Sequence, residues 1–372
     1  MLIRKCKVVL TILAAAAMVL VTVVPTGASV GAQWLGRAHS FPDFIAMPGL
    51  ISRGVAVDKV GNVFVCAGEM IAGVEYMKVW KFRPDGEMLP DPYADMGQGT
   101  IGGLAVSACG DLYVAMAAGS AKGVWKIDRE GQKELLPGSD QIFFANGLAF
   151  DDRGNLYITE SVSIASPGPP PVPGPGGIWR IRRDGQVELC LRDALLSGTG
   201  VLGNPVPIGA NGIGYSRGSL FVTNTEKGTV LWIPIWRDGS LGLPQVWATL
   251  QDVPESPLAG APLPVCGDGL VLDVFGNVYV AVLTRMAVVR INPWNRTQKT
   301  VAAFLSQVAS TPAAPLDFPA SLYFGTGRGE RMNLFVTNLG LGASRVPLPP
   351  PLTWPGPGLV KIKAGVPGRP LH

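Results

Sequence analysis

Short apolar runs alternate with polar turns along most of this chain, and the runs fall into six segments of similar design. Each segment contains a glycine, an apolar stretch, a turn of the Gly-Asn type and a second apolar stretch. In chain order the segments begin at Gly54, Gly103, Gly147, Gly212, Gly269 and, more loosely, Ser321. Apolar runs joined by such turns are typical of β-hairpins, and repeats of this length are typical of propeller blades. The pattern therefore predicts an all-β, six-bladed β-propeller.

A third apolar run follows the hairpin in every segment, and most segments add a fourth after an Asp-Gly or Glu-Gly turn. This predicts four-stranded blades. The sixth segment ends after its third run, at residues 359–362, whereas residues 34–46 precede the first glycine. We expect residues 34–46 to supply the missing outer strand of the last blade, because closing the ring in this way leaves no open sheet edge. The alternative is a frayed N-terminal arm.

The beginning of the chain differs from the rest. A basic start precedes an apolar run over residues 8–24, and small residues follow. This three-part order predicts a secretory signal peptide over residues 1–32. An uncleaved membrane anchor is the alternative, since the run is close to the shortest length that spans a bilayer. We therefore expect an exported protein, secreted or periplasmic, whose residues 33–372 form a single propeller domain.

Composition and charge narrow the range of partners. With 372 residues and 47% hydrophobic content, the chain can bury a large core. Without residues 1–32, 28 basic residues stand against 27 acidic ones, so neither nucleic acid nor an anionic membrane surface is indicated. We expect a monomer that binds a small-molecule substrate or ligand. The remaining cysteines permit disulfides, but their spacing predicts no pairing; they are Cys66, Cys109, Cys190 and Cys266.

The predicted connections differ between the two faces of the propeller. If the strands of a blade are labelled A to D from the axis outward, the A–B and C–D turns lie on one face, which we call the short-turn face. The B–C and D–A connections lie on the opposite, long-loop face. The long insertions belong to this second face and cover residues 161–177, 193–210, 251–267 and 340–357. Long loops on a rigid scaffold tend to carry function, so the long-loop face is the predicted functional face.

The residue before each segment's glycine begins strand A and should point toward the axis on the long-loop face. These six axial positions are Arg53, Gly102, Asn146, Asn211, Asp268 and Ala320. Asn146, Asn211 and Asp268 offer the oxygen atoms that calcium or another hard divalent cation prefers. The alternative is that these side chains cap turns through backbone hydrogen bonds.

Over roughly residues 34–366 the chain resembles the senescence-marker-protein, gluconolactonase and luciferin-regenerating-enzyme family. The resemblance rests on the six repeats and on two short motifs, Asn211-Gly212 and Asp268-Gly269 with the apolar runs that follow them. It implies a six-bladed propeller with a calcium or other divalent ion near the axis. It also implies that Asn146, Asn211 and Asp268 bind this metal and that Asp268 is the catalytic base.

One position departs from the family pattern. The family usually opens the first blade with Glu-Gly and uses the glutamate as a metal ligand, whereas this chain has Arg53-Gly54. A like charge at ~4 Å and an effective dielectric near 20 costs on the order of 4 kcal/mol, which weakens a cation site severely. Either acidic residues on the same face compensate, or Arg53 turns away, or it binds an anionic substrate in place of the metal. The candidate substrate-binding residues are Arg53, Glu69, Glu160, Asn224 and Glu226.

These residues favour a metal-dependent lactonase or related ester hydrolase, in which the cation polarises a carbonyl group and lowers the pKa of a bound water. The first alternative is a non-catalytic propeller with a degenerate metal site that binds a ligand or a protein. The second is a lyase or synthase without a metal. The only histidines are His39, on the predicted outer strand, and His372 at the terminus. This argues against a Ser-His-Asp triad and a histidine-rich zinc site.

Overall fold

The computed structural model describes residues 41–162, 164–166, 172–203, 206–304, 314–345 and 353–371. The predicted signal segment and both histidines lie outside the described residues. Within these ranges the structure is almost entirely β. Helix is limited there to one turn, α1 (Gly342–Arg345), and to 3-10 turns at Ser139–Gln141, Ala194–Leu196 and Leu283–Arg285. None of the described helices has the length and apolar character needed to cross a membrane.

The described strands are numbered β1 to β26 along the chain, and the first is β1 (Phe44–Ala46). Blade one contains β2 (Ile51–Val57), β3 (Val63–Ile71), β4 (Val74–Phe82) and β5 (Ala94–Gln98). Blade two contains β6 (Thr100–Val106), β7 (Leu112–Ala118), β8 (Gly123–Ile127) and β9 (Lys133–Leu135). Blade three contains β10 (Ala145–Phe150), β11 (Leu156–Glu160), β14 (Gly176–Ile181) and β15 (Val187–Asp193), and its B–C loop carries the small hairpin β12 (Ile164–Ser166) and β13 (Val172–Pro173).

The second half of the ring repeats the same order. Blade four contains β16 (Ala210–Ser216), β17 (Ser219–Asn224), β18 (Thr229–Pro234) and β19 (Gln245–Thr249). Blade five contains β20 (Gly267–Leu272), β21 (Val278–Val282), β22 (Ala287–Ile291) and β23 (Gln298–Ala303). Blade six contributes β24 (Pro319–Phe324), β25 (Asn333–Asn338) and β26 (Gly358–Lys363).

The ring is closed by the N-terminal strand. Strand β1 adds to β26 as the fourth strand of blade six, with Phe44 opposite Val360 and Ala46 opposite Gly358. All strand pairs in the six blades are antiparallel. The predicted six-bladed propeller with four-stranded blades and an N-terminal closing strand is therefore confirmed, and the alternative of a frayed arm is wrong for this strand. Of the predicted closing segment, residues 34–40 lie outside the described residues.

Three A–B turns on the short-turn face share one arrangement of side chains. In each turn an aspartate accepts hydrogen bonds from the backbone and the side chain of an asparagine four residues later; the pairs are Asp58–Asn62, Asp151–Asn155 and Asp273–Asn277. The glycine before the asparagine has a positive φ in all three turns, as at Gly61 (95°), a conformation that favours glycine. Local sequence therefore determines these tight turns.

The inner strand of every blade has a β-bulge at the same place. The register shifts between Ser52 and Val55 in β2, and equivalent shifts occur in β6, β10, β16, β20 and β24. Glycine at the bulge allows neighbouring inner strands to come into backbone contact. A Cβ atom added to Gly212, for example, would lie only 2.6 Å from the backbone nitrogen of Leu270. The bulges thus explain the glycine that recurs in the sequence.

Apolar side chains fill the spaces between adjacent blades. Val79 of blade one and Leu104 of blade two belong to one buried cluster, and Val230 of blade four and Val280 of blade five belong to another. Each buried methylene group contributes about 0.8 kcal/mol. Burial between blades therefore holds the inner strands, and the residues that they carry, in fixed positions around the axis.

The C-terminal segment covers the short-turn end of the axis. The backbone N–H of Arg369 donates to the carbonyl of Leu272 at 3.3 Å, and Arg369 Nη1 donates to Ser216 Oγ at 2.5 Å. Residues 369–371 and the inner strands line a central cavity of about 130 Å³. The axial positions named above lie at the other, long-loop end of the inner strands.

Candidate axial site

The six axial positions occupy the bulges of the inner strands, one in each blade. A bulge takes a side chain out of the regular ladder and re-aims it. Neighbouring positions are in contact, because a Cβ atom added to Gly102 would lie 2.7 Å from Asn146 Oδ1. A hydrogen bond joins Asn211 to Asp268, and the charge of Arg53 acts on Asp268. The structure therefore brings the sequence-predicted residues Arg53, Asn146, Asn211 and Asp268 together.

Threonine hydroxyls on the second strands fix several of these bulges. Thr159 Oγ1 accepts the N–H of Gly147 at 2.8 Å and donates to the carbonyl of Asn211, in the next blade, at 2.6 Å. Thr223 and Thr337 make equivalent bonds to the carbonyls of Asp268 and Arg53. Each hydroxyl thus ties the bulge of its own blade to the axial residue of the next one.

Blade one uses a thiol at the equivalent position. The Gly54 N–H donates to Cys66 Sγ at 2.9 Å, and burial raises the pKa of the Cys66 thiol to about 12. A protonated thiol that holds the backbone is inert as a nucleophile. The described cysteines form no disulfide with one another.

Arg53 is paired with an acidic residue that sequence reasoning missed. Its Nε atom donates to Glu75 Oε1 at 2.9 Å and its Nη2 atom to Oε2 at 3.3 Å. Thr100 Oγ1 also donates to Oε2, at 2.7 Å. The side chains of Arg53 and Glu75 are 30% and 11% exposed, so this two-point ion pair lies at the edge of the axial site, and the remaining guanidinium nitrogen is not engaged by Glu75.

Glu75 reaches the axis because blade one has an unusually long central hairpin. Strands β3 and β4 continue past the point where the other blades turn, and Met70 lies opposite Glu75 in the extension. The hairpin closes through Ala72 and Gly73, both with positive φ. The sequence signal was this Ala-Gly turn between two apolar runs, which indicates a two-residue hairpin in place of a loop.

Asp268 is the titrating group of the site. Burial raises the pKa of its carboxyl to about 7, against the opposing effects of the Arg53 charge and the hydrogen bond with Asn211. The residue as a whole is only partly buried, so solvent reaches part of it. A carboxyl with this pKa exchanges a proton near neutral pH, as a general acid or base requires.

The two asparagines are oriented by hydroxyl groups behind them. Asn146 Nδ2 donates to Ser161 Oγ at 2.9 Å, and Asn211 Nδ2 donates to Thr225 Oγ1 at 3.0 Å. These bonds fix the amide planes and leave further amide atoms for other partners. Both side chains are therefore held in place at the axis.

The remaining predicted residues lie farther from the axial group. Glu160 is buried inside blade three, where it accepts from Trp179 Nε1 at 2.8 Å and pairs with Arg192 at 2.9 Å. Glu69 is half-buried and lies 3.6 Å from the ammonium group of Lys78. Both carboxylates therefore pair with residues of their own blades.

Two other predicted residues organise the D–A loop that precedes blade four. Asn224 Nδ2 donates to the carbonyls of Leu195 and Ser197, each at 2.8 Å. Glu226 is 4% exposed, and its Oε2 atom accepts the N–H of Thr199 at 2.6 Å, whereas its Oε1 atom has no partner among the described residues. These side chains shape the wall of the long-loop face, next to Asn211 in the same blade.

The donor set does not fit a divalent cation in this arrangement. Calcium takes about six to eight oxygen ligands, with carboxylates prominent among them. Among the described residues of the axial site, Asp268 is the one carboxylate without an ion pair. Arg53 brings a positive charge to the position where an acidic side chain would help to bind a cation. Glu75 forms an ion pair with Arg53 and is therefore not free to bind a metal. Within the described residues no group of three His, Cys, Asp or Glu side chains is placed to hold a metal. Calcium binding through Asn146, Asn211 and Asp268 therefore stays a prediction that this geometry does not support.

Known structures share this fold along most of the chain. A putative gluconolactonase matches with a TM-score of 0.58 and 15% identity, over 89% of this chain and 96% of its own. A gluconolactonase from Xanthomonas campestris matches with a TM-score of 0.53 and 18% identity, over 85% and 86%. Regucalcin from Agrobacterium tumefaciens, a calcium-binding protein, matches with a TM-score of 0.53 and 15% identity, over 90% and 98%.

These matches are to the family that the sequence resembles, so that resemblance is confirmed at the level of the fold. No protein-family model matches the sequence, and no curated protein matches it. At such low identity the similarity establishes the six-bladed architecture, and the activity has to be argued from the site.

Proposed function

We propose that the axial site binds and hydrolyses a small lactone or ester, with Asp268 as the catalytic base and Arg53 as the fixed positive charge. The observation that carries the proposal is the Asp268 carboxyl, whose pKa of about 7 is set by burial beside a guanidinium group. The gluconolactonases that share the fold suggest a lactone as the first substrate class to test. The predicted signal peptide supports the further proposal that the protein is exported.

The reaction needs one proton acceptor and one stabiliser of negative charge. The Asp268 carboxylate removes a proton from a water molecule while the water oxygen adds to the carbonyl carbon. The negative charge that develops on the carbonyl oxygen is stabilised by Arg53, through the guanidinium nitrogen that Glu75 leaves available, and by the amide of Asn146. The ring C–O bond then breaks, the leaving oxygen takes the proton from Asp268, and a hydroxy acid is released.

A metal-dependent lactonase is the other version of this hypothesis. It predicts that calcium binds between Asn146, Asn211 and Asp268 and that chelation abolishes activity. Because the charge of Arg53 acts on Asp268 and the donor set includes a single free carboxyl, we derive no step through a metal. A chelator that left hydrolysis unchanged would support the metal-independent version.

A non-catalytic ligand-binding propeller is the second candidate function. The observation that favours it is the Arg53–Glu75 pair, in which both charges are already neutralised by a two-point contact. In that case the site binds a neutral or weakly anionic small molecule without reaction. Saturable binding of lactones to the wild-type protein without turnover would establish this candidate.

The proposal is tested by replacing the base. We expect Asp268→Asn to reduce kcat/KM for the best lactone in a panel by about 100-fold or more, the usual contribution of a general base. The wild-type kcat/KM should rise with pH and level off above about pH 7, in accordance with the Asp268 pKa. Glu134→Gln, at an exposed outer-strand position, is the matched control and should leave both quantities unchanged.

Thermal unfolding separates loss of chemistry from loss of fold. The folded-state pKa of Asp268 is about 7, compared with a reference value of 3.8. Stability conferred by the protonated form is therefore fully present below about pH 4 and is lost as the pH rises through 7. Asp268→Asn should match the wild-type Tm at pH 4 and exceed it at pH 8. Unchanged lactone hydrolysis in a folded Asp268→Asn protein would contradict the proposal.

A further inference from the structure

The short-turn face carries a groove between blades four and five that the axial site does not use. Its volume is about 510 Å³, the size of a small-molecule site. The floor contains Trp232 and Trp247, and the rim contains Phe275 and Trp294, which are 60% and 84% exposed. Together these four rings form a contiguous apolar patch, and such patches often mark binding sites.

Two arginines complete the groove, and neither has an acidic partner. Arg217 lies in the A–B turn of blade four and Arg296 in the C–D turn of blade five. The Arg296 guanidinium lies 4.3 Å from the centre of the Trp247 ring, a cation–π contact that orients it. Neither guanidinium makes an ion pair within the described part of the chain, and the described lining contains no aspartate or glutamate.

Both arginines also occupy backbone positions that disfavour them. Arg217 has φ 50° and Arg296 has φ 60°, in the left-handed region that glycine and asparagine adopt at much lower cost. The C–D turns of blades one to four have glycine at positive φ, at Gly86, Gly131, Gly185 and Gly239. Residues held in unfavourable conformations tend to be found at functional sites. Two such arginines in the lining of one groove indicate that their side chains have a function there.

We propose that this groove is a binding site for a small, flat aromatic anion, such as an aromatic carboxylate. The ring of the ligand stacks on the exposed faces of Trp294 and Phe275, and its anionic group lies between Arg217 and Arg296. A guanidinium fork suits a carboxylate because it donates two parallel hydrogen bonds. The excess of positive charge in the lining selects an anion over a neutral ring.

The polar groups of the groove argue against a sugar acid. A sugar needs several side-chain acceptors for its hydroxyl groups, whereas the polar side chains of the described lining other than the arginines are Ser216, Ser219 and Gln245. Ser216 Oγ is already bound by Arg369, and Ser219 is buried. A ligand with an apolar body and one charged group matches this lining better.

The test compares two probes that share the naphthalene ring and carry either a charged or a neutral polar group. We expect 2-naphthoate to bind the full-length protein saturably in calorimetry and to quench tryptophan fluorescence. The neutral analogue 2-naphthalenemethanol should bind about tenfold or more weakly, since loss of one charged contact is typically worth at least that factor. A trigalacturonate titration tests the sugar-acid alternative in the same assay.

The substitutions Arg217→Asn and Arg296→Asn separate binding from folding. Asparagine suits a positive φ, so both variants should keep or raise the wild-type Tm while weakening 2-naphthoate binding about tenfold. Arg237→Asn is the matched control, because Arg237 is exposed on the same face but outside the groove; it should change neither quantity.

Three results would overturn the proposal. They are equal binding of the two naphthyl probes, unchanged 2-naphthoate binding in both arginine variants, and tighter binding of trigalacturonate than of 2-naphthoate. Activity at the axial site is not part of this test, so the groove and the proposed hydrolase can fail independently. Unchanged lactone hydrolysis in Arg296→Asn, with binding lost, would confirm that the two sites are separate.

Discussion

The two halves of the axial ring are built on the same bulge but present different chemistry. Blades three, four and five contribute Asn146, Asn211 and Asp268, whereas blades six, one and two contribute Ala320, Arg53 and Gly102. In the first half, a hydroxyl directly after the neighbouring strand fixes each of the two amides. In the second half, the one functional side chain is fixed by Glu75 on an extended hairpin.

This difference shows how the chemistry of one axial position can change while the fold stays the same. The backbone of the bulge is set by glycine and by contacts between inner strands, so the residue before the glycine is free to vary. An acid at the blade-one position would add a second axial carboxylate, and an arginine there adds a cation instead. Glu75 then compensates the charge of the arginine. This half of the ring therefore holds the Arg53–Glu75 ion pair, and the other half holds the Asp268 carboxyl.

The largest effect is expected from reversing the charge at the blade-one position. Arg53→Glu removes the partner of Glu75 and places two carboxylates together, so the free energy of unfolding should fall by about 3 kcal/mol, because a partly buried carboxylate loses its charged hydrogen-bond partner and gains a like charge. Millimolar calcium should restore part of the lost Tm in this variant, because three carboxyls then face the axis. The wild-type Tm should not respond to calcium.

The control for this experiment is Lys78→Glu, which reverses a charge in the half-exposed Glu69–Lys78 pair of the same blade. Its effect on stability should stay below about 1 kcal/mol, as for other surface pairs, with no response to calcium. A saturable rise of the wild-type Tm with calcium that is lost in Asp268→Ala would contradict our interpretation and restore the metal-dependent lactonase.

A smaller effect is expected from the hydroxyls that join neighbouring blades. Thr159→Val leaves the Gly147 N–H without its acceptor, and a buried unsatisfied donor costs about 1–3 kcal/mol. Thr159→Ser keeps the hydroxyl and should lose less stability in denaturant unfolding. Equal losses in the two variants would show that the methyl group, and not the hydrogen bond, is what matters at this position.

Sequence alone predicted the architecture because the repeat is encoded locally. Turns such as Asp58–Asn62 and the bulge glycine of blades one to five are visible in the sequence, and the closing strand followed from the missing run in blade six. It also identified the positions of Arg53, Asn146, Asn211 and Asp268, since all follow from the place of the bulge within the repeat.

The partners of these residues were not predictable in the same way. Glu75 reaches Arg53 because one hairpin is longer than the others. Glu160 lies inside blade three because it accepts a hydrogen bond from Trp179 and forms an ion pair with Arg192 there. The Ala72-Gly73 turn signals the longer hairpin, but which side chains then meet depends on packing between elements that are distant in the repeat. The groove on the short-turn face was missed for a related reason, since Trp232 belongs to a strand and Trp294 to a turn of the next blade.

The smallest expected effect concerns the pKa of Asp268. It is tested by comparing substitutions of the two members of the Arg53–Glu75 ion pair. Arg53→Gln removes a positive charge while burial remains, so the pKa should rise above its value of about 7, by an amount on the order of one unit. Glu75→Gln leaves the charge of Arg53 uncompensated, so the pKa should fall. The carboxyl carbon shift of Asp268, followed by NMR against pH, measures both changes without any substrate, and Glu134→Gln should leave the titration unchanged. Shifts of the same sign in the two variants would mean that altered solvation, and not the charge of Arg53, controls this carboxyl, and the contrast between the two halves of the ring would then have no electrostatic basis.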